Sequence, residues 1–159
     1  MIERFTGEHN RRKLIEAIKG QLIVYGDEEL AVRLCAALEL SEVELGAKII
    51  TQDSDEDDLF LILAGRVSVQ VHGREIAVSK TGEHVGEMAV IDPSARRSAS
   101  VFALERTVLG KIPEPDFSRL AVQFPDLWRR LAVQLGERGI PRQYGLTEAE
   151  EDVAHARRQ

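Results

Sequence analysis

Two short runs carry the residues able to do chemistry: Gly86-Glu87-Met88-Ala89-Val90 and Arg97-Ser98-Ala99-Ser100-Val101, joined by a polar, turn-forming stretch. Together they supply what a phosphate joined to a sugar requires. Gly86 permits close backbone approach, and Glu87-Met88-Ala89 can open a short helix whose first N–H groups point at an anion. Glu87, an acceptor-only carboxylate, suits a sugar hydroxyl and not the phosphate itself. An arginine entering the next strand can hold the phosphate in a forked, charge-assisted contact with a serine hydroxyl beside it. Ser98, Ala99 and Ser100 leave room for a ligand, and Asp92-Pro93-Ser94 makes the turn between the halves. A plainer arrangement is equally open at this point. In it Glu87 and Arg97 pair with each other on the surface and Gly86 is an ordinary turn glycine.

Such residues need a rigid frame. Leu14, Ile15 and Ile18, then Leu30, Leu34, Cys35 and Leu38, recur at helical spacing. Asp27 is placed to cap the second helix, with Glu28 and Glu29 in its first turn. From about residue 40 the period shortens. VEL, KII, LFLIL, RVSVQV, EIAVS, SASVFAL and TVLGKI are short, rich in Val and Ile, and separated by turn residues, the pattern of an antiparallel barrel or sandwich. His72-Gly73, between two alternating runs, reads as a tight hairpin turn. After Pro113 helical spacing returns, with Phe117, Leu120 and Ala121 before Pro125 and Leu127, Trp128, Leu131 and Leu135 after it. Pro125 should break the chain there. The expected fold is mainly β with flanking α: an antiparallel β-barrel or jelly roll of about eight strands with N-terminal and C-terminal helices. Residues 1–38 form the N-terminal helices, 39–113 the barrel, 114–140 the C-terminal helices, and 141–159 a solvated tail or a linker to a further domain.

With 159 residues, 43% apolar and 30% charged, the chain fits one compact domain with a real core. No apolar run reaches the roughly 18 residues that cross a bilayer. The opening MIERFTGEHNRRK has no hydrophobic signal core, so a cytoplasmic location and no membrane partner are expected. The single cysteine, Cys35, forms no internal disulfide and sits on an apolar helix face as a small core residue. A net charge of −6 argues against a nucleic-acid partner, which calls for a basic face.

The competing chemistries fit poorly. Asp53, Asp55 and Asp57 alternate as at the start of a calcium loop, but Asp58 stands where the sharp turn wants glycine and Ala64 where a bidentate Glu belongs. A solvated acidic loop is the better reading. His9, His72, His84 and His155 are scattered without ligand spacing, so they are expected at the surface or in turns and no metal is expected. No serine lies in a nucleophile elbow. The chain is expected to be no enzyme and to carry no cofactor.

The two runs resemble the phosphate-binding cassette of cyclic nucleotide-binding domains, in which Gly-Glu-hydrophobic-small-hydrophobic is followed by Arg-small-Ala-Ser/Thr-hydrophobic. The likeness extends from about residue 27 to 136, through LGAKIITQ, LFLILAGRVSV, TGEHVGE and the helix running into Phe124-Pro125. The resemblance implies that Glu87 receives a ribose 2′-hydroxyl. It implies also that Arg97 and Ser98 hold a cyclic phosphate, aided by backbone N–H groups of Gly86 to Ala89. Arg96 is a rival for the phosphate, although the run Arg-Ser-Ala-Ser-Val matches Arg97. In this family a helix after the barrel often closes over the base, which makes Trp128, Arg129 and Arg130 candidates for base contacts. The ligand implied is a cyclic mononucleotide, cyclic UMP or CMP or cyclic AMP or GMP, its base left open.

Two departures stand out. Val85 replaces the usual Phe before Gly-Glu, and Gln52-Asp53-Ser54-Asp55-Glu56-Asp57 replaces a Gln-Gly-Asp-x-Gly-Asp loop without either glycine. Among bacterial effectors, the arrangement is similar to antiphage proteins in which such a sensor, often responding to a cyclic pyrimidine nucleotide, precedes a TIR domain that consumes NAD. A stand-alone regulatory subunit and a nucleotide-free interaction module are the alternatives. The amphipathic terminal helices are compatible with a homodimer.

Overall fold

The computed structural model describes residues 1–138. Eight strands occur among them: β1 (Glu39–Val43), β2 (Lys48–Ile50), β3 (Leu59–Ala64), β4 (Arg66–Val71), β5 (Arg74–Lys80), β6 (His84–Val85), β7 (Ser100–Ala103) and β8 (Thr107–Ile112). They form two antiparallel four-stranded sheets, ordered β1-β8-β3-β6 and β2-β7-β4-β5. The jelly-roll class expected from the spacing of short Val/Ile runs is therefore the one observed. Two strands depart from the expectation: β1 meets the VEL run only at Val43, and the two-residue β6 is too short for an alternation to register.

The sequence of β3 explains how the layers stack. All six of its side chains are buried, which an apolar run achieves only when both faces of a strand are covered. Leu59, Leu61 and Leu63 face a cluster shared with the helices, whereas Phe60 and Ile62 face a second cluster between the sheets. In β4, by contrast, Val67, Val69 and Val71 enter that second cluster while Arg66, Ser68 and Gln70 alternate with them. The hairpin between β4 and β5 turns at His72 and Gly73, both at positive φ (51° and 77°) with Val71 opposite Arg74, as a two-residue turn matched to strand twist requires.

Among the described residues five α-helices flank the sheets: α1 (Arg11–Lys19), α2 (Glu28–Ala37), α3 (Glu87–Ile91), α4 (Glu114–Gln123) and α5 (Asp126–Arg138). Asp27 caps α2 as expected, its Oδ1 accepting from the Leu30 N–H at 3.1 Å. Across the α1–α2 pair, Glu28 meets Arg12 at 2.6 Å and Lys19 at 3.0 Å. The hydrogen bond from Arg12, then that from Lys19, lowers the Glu28 carboxyl to about 2. Leu14, Ile15 and Ile18 of α1, Leu30 and Leu34 of α2, Phe117 and Leu120 of α4, and Leu127 and Leu131 of α5 all enter the helix-side cluster. Each fully buried side chain of this size contributes roughly 1.5–3 kcal/mol. Cys35 packs against the same cluster, and burial pushes its thiol up, as a core role predicts. Pro125 separates α4 from α5, because its ring cannot continue the helix. The predicted tail at 141–159, together with the last two residues of the predicted 114–140 segment, lies outside the described residues.

Candidate ligand-binding site

The cassette residues converge at one end of the space between the sheets. Gly86 stands directly before α3 in the left-handed conformation (φ 86°). A Cβ there would come within 2.8 Å of both Arg97 Nη1 and the Asp58 carbonyl oxygen, so only glycine fits. Behind this crossing is a pocket lined by both halves of the cassette and by the inner face of the second sheet. Its apolar wall comes from the inner face of the second sheet, with Ile50 from β2, Val69 from β4 and Val101 from β7, and from Val85 at the end of β6. Gly86, Glu87, Met88 and Ala89 form one polar-bearing side, and Arg97, Ser98 and Ala99 the other.

Glu87 and Arg97 do not pair on the surface. Both are almost fully buried, at 2% and 4% exposure, which disposes of the plainer arrangement left open by the spacing. Arg97 donates from Nη1 to the Gly86 carbonyl at 3.1 Å and from Nη2 to the Asp58 carbonyl at 2.6 Å. Both acceptors are backbone oxygens. Its Nε is buried without an acceptor. Burial pushes the Arg97 guanidinium below the ordinary arginine value, against the opposing influence of Asp58, Glu56, Asp57 and Glu87. Arginine keeps its charge in proteins nonetheless. A desolvated cation with spare donors beside a pocket is thus a receptor for an anion.

Four of the predicted site residues, Arg96, Ser100, Trp128 and Arg129, are placed elsewhere, and Arg130 joins them. Arg96 is exposed and donates to the Asp53 carbonyl at 2.9 Å, whereas Arg97 is buried and lines the pocket. Ser100 does not line the pocket; its hydroxyl accepts from the Gln52 N–H at 2.8 Å and ties β2 to β7. Trp128 lies edge-on to Phe117, ring centroids 5.2 Å apart, and Arg129 pairs with Asp126 at 3.0 Å. Arg130 donates to the carbonyls of Ile23 and Val24 at 3.4 and 3.0 Å. None of these last three reaches the pocket in this arrangement, because α5 packs its apolar stripe on α4 and the α1–α2 connection.

Sequence reasoning missed two participants. His84, expected at the surface, is fully buried, with Nδ1 3.9 Å from Glu87 Oε1. Its position three residues before Glu87 was the one available signal. The other is the backbone of the acidic loop. Asp53 and Arg97 are joined by an N–H to carbonyl bond of 2.7 Å, and the Arg97 N–H returns one of 2.7 Å to Ser54. Asp53 takes φ 70°, supplying from an aspartate the left-handed turn that a glycine makes in similar loops. No group of His, Cys, Asp or Glu among the described residues is arranged to hold a metal, so Asp53, Asp55 and Asp57 do not converge.

The sequence profile described as the cyclic nucleotide-binding domain matches residues 40–124. A Pycsar effector protein of Xanthomonas perforans, XpPycTIR, is 44% identical over 153 residues, covering 96% of this chain and 50% of that protein. The chain spans about half the length of the curated relatives it matches. The solved catabolite activator protein of Thermus thermophilus superposes with a TM-score of 0.62 and 30% identity, over 70% of this chain and 54% of that one. The regulatory domain of Toxoplasma gondii PKA, crystallised with cAMP, shares the fold with a TM-score of 0.63 and 19% identity, over 72% and 46% of the two chains.

Proposed function

Because the chain belongs to the cyclic nucleotide-binding domain family, we propose that its pocket holds a cyclic mononucleotide with the phosphate on Arg97 and the ribose 2′-hydroxyl on Glu87. Ser98 and the backbone N–H groups at the start of α3 complete the phosphate cradle, and the apolar wall of Ile50, Val69, Val85 and Val101 receives the sugar and the edge of the base. The observation that carries this reading is the buried guanidinium beside the pocket, hydrogen-bonded to the Gly86 and Asp58 carbonyls. A cyclic phosphodiester supplies a counter-charge.

The domain itself performs no chemistry; its output is conformational. Ligand binding draws the C-terminal helices toward the barrel, because only a closed arrangement desolvates the base, and that differential affinity shifts the population. Trp128 and Arg129, which lie away from the pocket in the arrangement described, would reach the base only after such a movement. The likeness to the Pycsar effector supports an output through a TIR domain that consumes NAD in antiphage defence.

Titration calorimetry with cyclic AMP, GMP, CMP and UMP tests the reading, and binding of none would defeat it. Arg97→Ala should weaken the best ligand by about 2–5 kcal/mol, the range for stripping one partner from a buried charged contact. Glu87→Gln should weaken the ribonucleotide more than its 2′-deoxy analogue. Equal losses would mean that the carboxylate does not read the sugar.

A further inference from the structure

Resting on the cyclic-nucleotide reading, we propose that the acidic loop at residues 55–57 makes the pocket a charge filter, admitting a phosphate ester with one negative charge and rejecting the doubly charged phosphate of a linear nucleotide. The loop is fixed to the phosphate arginine at both ends. At one end stand the paired backbone bonds between Asp53, Ser54 and Arg97, each of 2.7 Å, and the Arg96 contact to the Asp53 carbonyl at 2.9 Å. At the other, Arg97 Nη2 holds the Asp58 carbonyl at 2.6 Å. Asp55, Glu56 and Asp57 are carried on the arch between those two feet, and cannot swing away without breaking bonds to the residue they surround.

Charge around the pocket is unevenly matched. The cations are Arg97, the outward Arg96 and Lys111, and Lys111 is engaged by the Asp58 carboxylate at 3.5 Å and by Glu39 at 3.8 Å. The carboxylates are Glu87 in the wall, with His84 behind it, and Asp53, Asp55, Glu56 and Asp57 on the loop. Asp58, Glu56, Asp57 and Glu87 all act electrostatically on Arg97. One negative charge on the ligand meets the guanidinium. A second, which a phosphate monoester carries above a pKa of about 6, is opposed by Glu87 and the acids of the loop. Cyclic and linear nucleotides differ by that one charge, so the loop separates a signal from its ring-opened product independently of shape.

The test uses the tightest-binding of the four 3′,5′-cyclic nucleotides, the 5′-monophosphate of the same base, and its 5′-(methyl phosphate), which is open like the monophosphate but singly charged. Each is titrated into the native chain and into Glu56→Gln/Asp57→Asn, two loop positions outside the core. Since Coulomb energy scales with ligand charge, the double variant should improve the cyclic and methyl esters about two- to threefold. It should improve the monophosphate by about the square of that, four- to tenfold, and the difference should shrink with salt. Equal gains for all three ligands would overturn the filter, as would a methyl ester no better bound than the monophosphate by the native chain. Should no cyclic nucleotide bind, the ligand reading fails and the filter with it, an outcome distinct from equal gains.

Discussion

The two faces of β3 look into different interiors. On the helix side Leu59, Leu61 and Leu63 join Leu34, Phe117 and Leu131 in one apolar cluster. On the other, Phe60 and Ile62 meet Val67, Val69 and Val101, and beyond these the space opens into a pocket bordered by buried Arg97 and Glu87. The first interior is solid and supplies stability. The second is hollow, and tolerates a desolvated cation that an apolar side chain would replace at lower energetic cost. Folding free energy and ligand affinity are thereby assigned to opposite faces of one strand, and each can be altered with limited damage to the other.

The sharpest challenge to that division is Phe117→Ala. It should cost about 3–5 kcal/mol in urea unfolding, while the protein that remains folded keeps its nucleotide affinity. A parallel collapse in affinity under folded conditions would mean that the two interiors are not separable. Gly86→Ala should have a smaller effect on stability, about 1–3 kcal/mol, yet a large one on binding, since the added Cβ displaces Arg97 Nη1 and the Asp58 carbonyl. Gly46→Ala is its control: φ is also positive at 87°, but nothing lies within 4 Å of the added carbon. It should show backbone strain without loss of affinity.

The smallest effect belongs to Glu28→Gln, outside both interiors. Glu28 has a folded pKa depressed to about 2. Its contribution is therefore present above the ordinary carboxylate value and fades as pH falls toward that figure. The exposed pair should shift Tm near the limit of detection at neutral pH, and the melting curves of the two proteins should merge in acid or at high salt. A large shift would show the α1–α2 ion pairs to be more than surface contacts.

Where a side chain's period matched one environment, the sequence could be read directly. Val67, Val69 and Val71 alternate because one face of β4 is buried, and Leu14, Ile15 and Ile18 are spaced for one face of a helix. The His72-Gly73 turn and the Asp27 cap were legible because local chemistry alone decides them. Arg97 and Glu87 were recognisable as a set, but their burial was not, since spacing says nothing of what covers a residue. Ser100 and Arg96 illustrate the residual ambiguity: neighbours of pocket residues in the chain, they are engaged elsewhere, Ser100 by the Gln52 amide and Arg96 by the Asp53 carbonyl. His84 and the Asp58 carbonyl were hidden for a further reason, in that their roles arise from contacts with residues brought close only by the fold.

Arg130 binds the Ile23 and Val24 carbonyls, while Gln21 in the same elbow donates to the Ile62 carbonyl at 2.9 Å and the Leu22 N–H to Gly82. The first forty residues are thus a bracket between the last helix and the strands, although the family match begins only at residue 40. A truncation drawn where that match begins would strip Ile18, Leu30 and Leu34 from around Phe117 and expose a greasy flank. The unit that folds is larger than the segment the family profile matches.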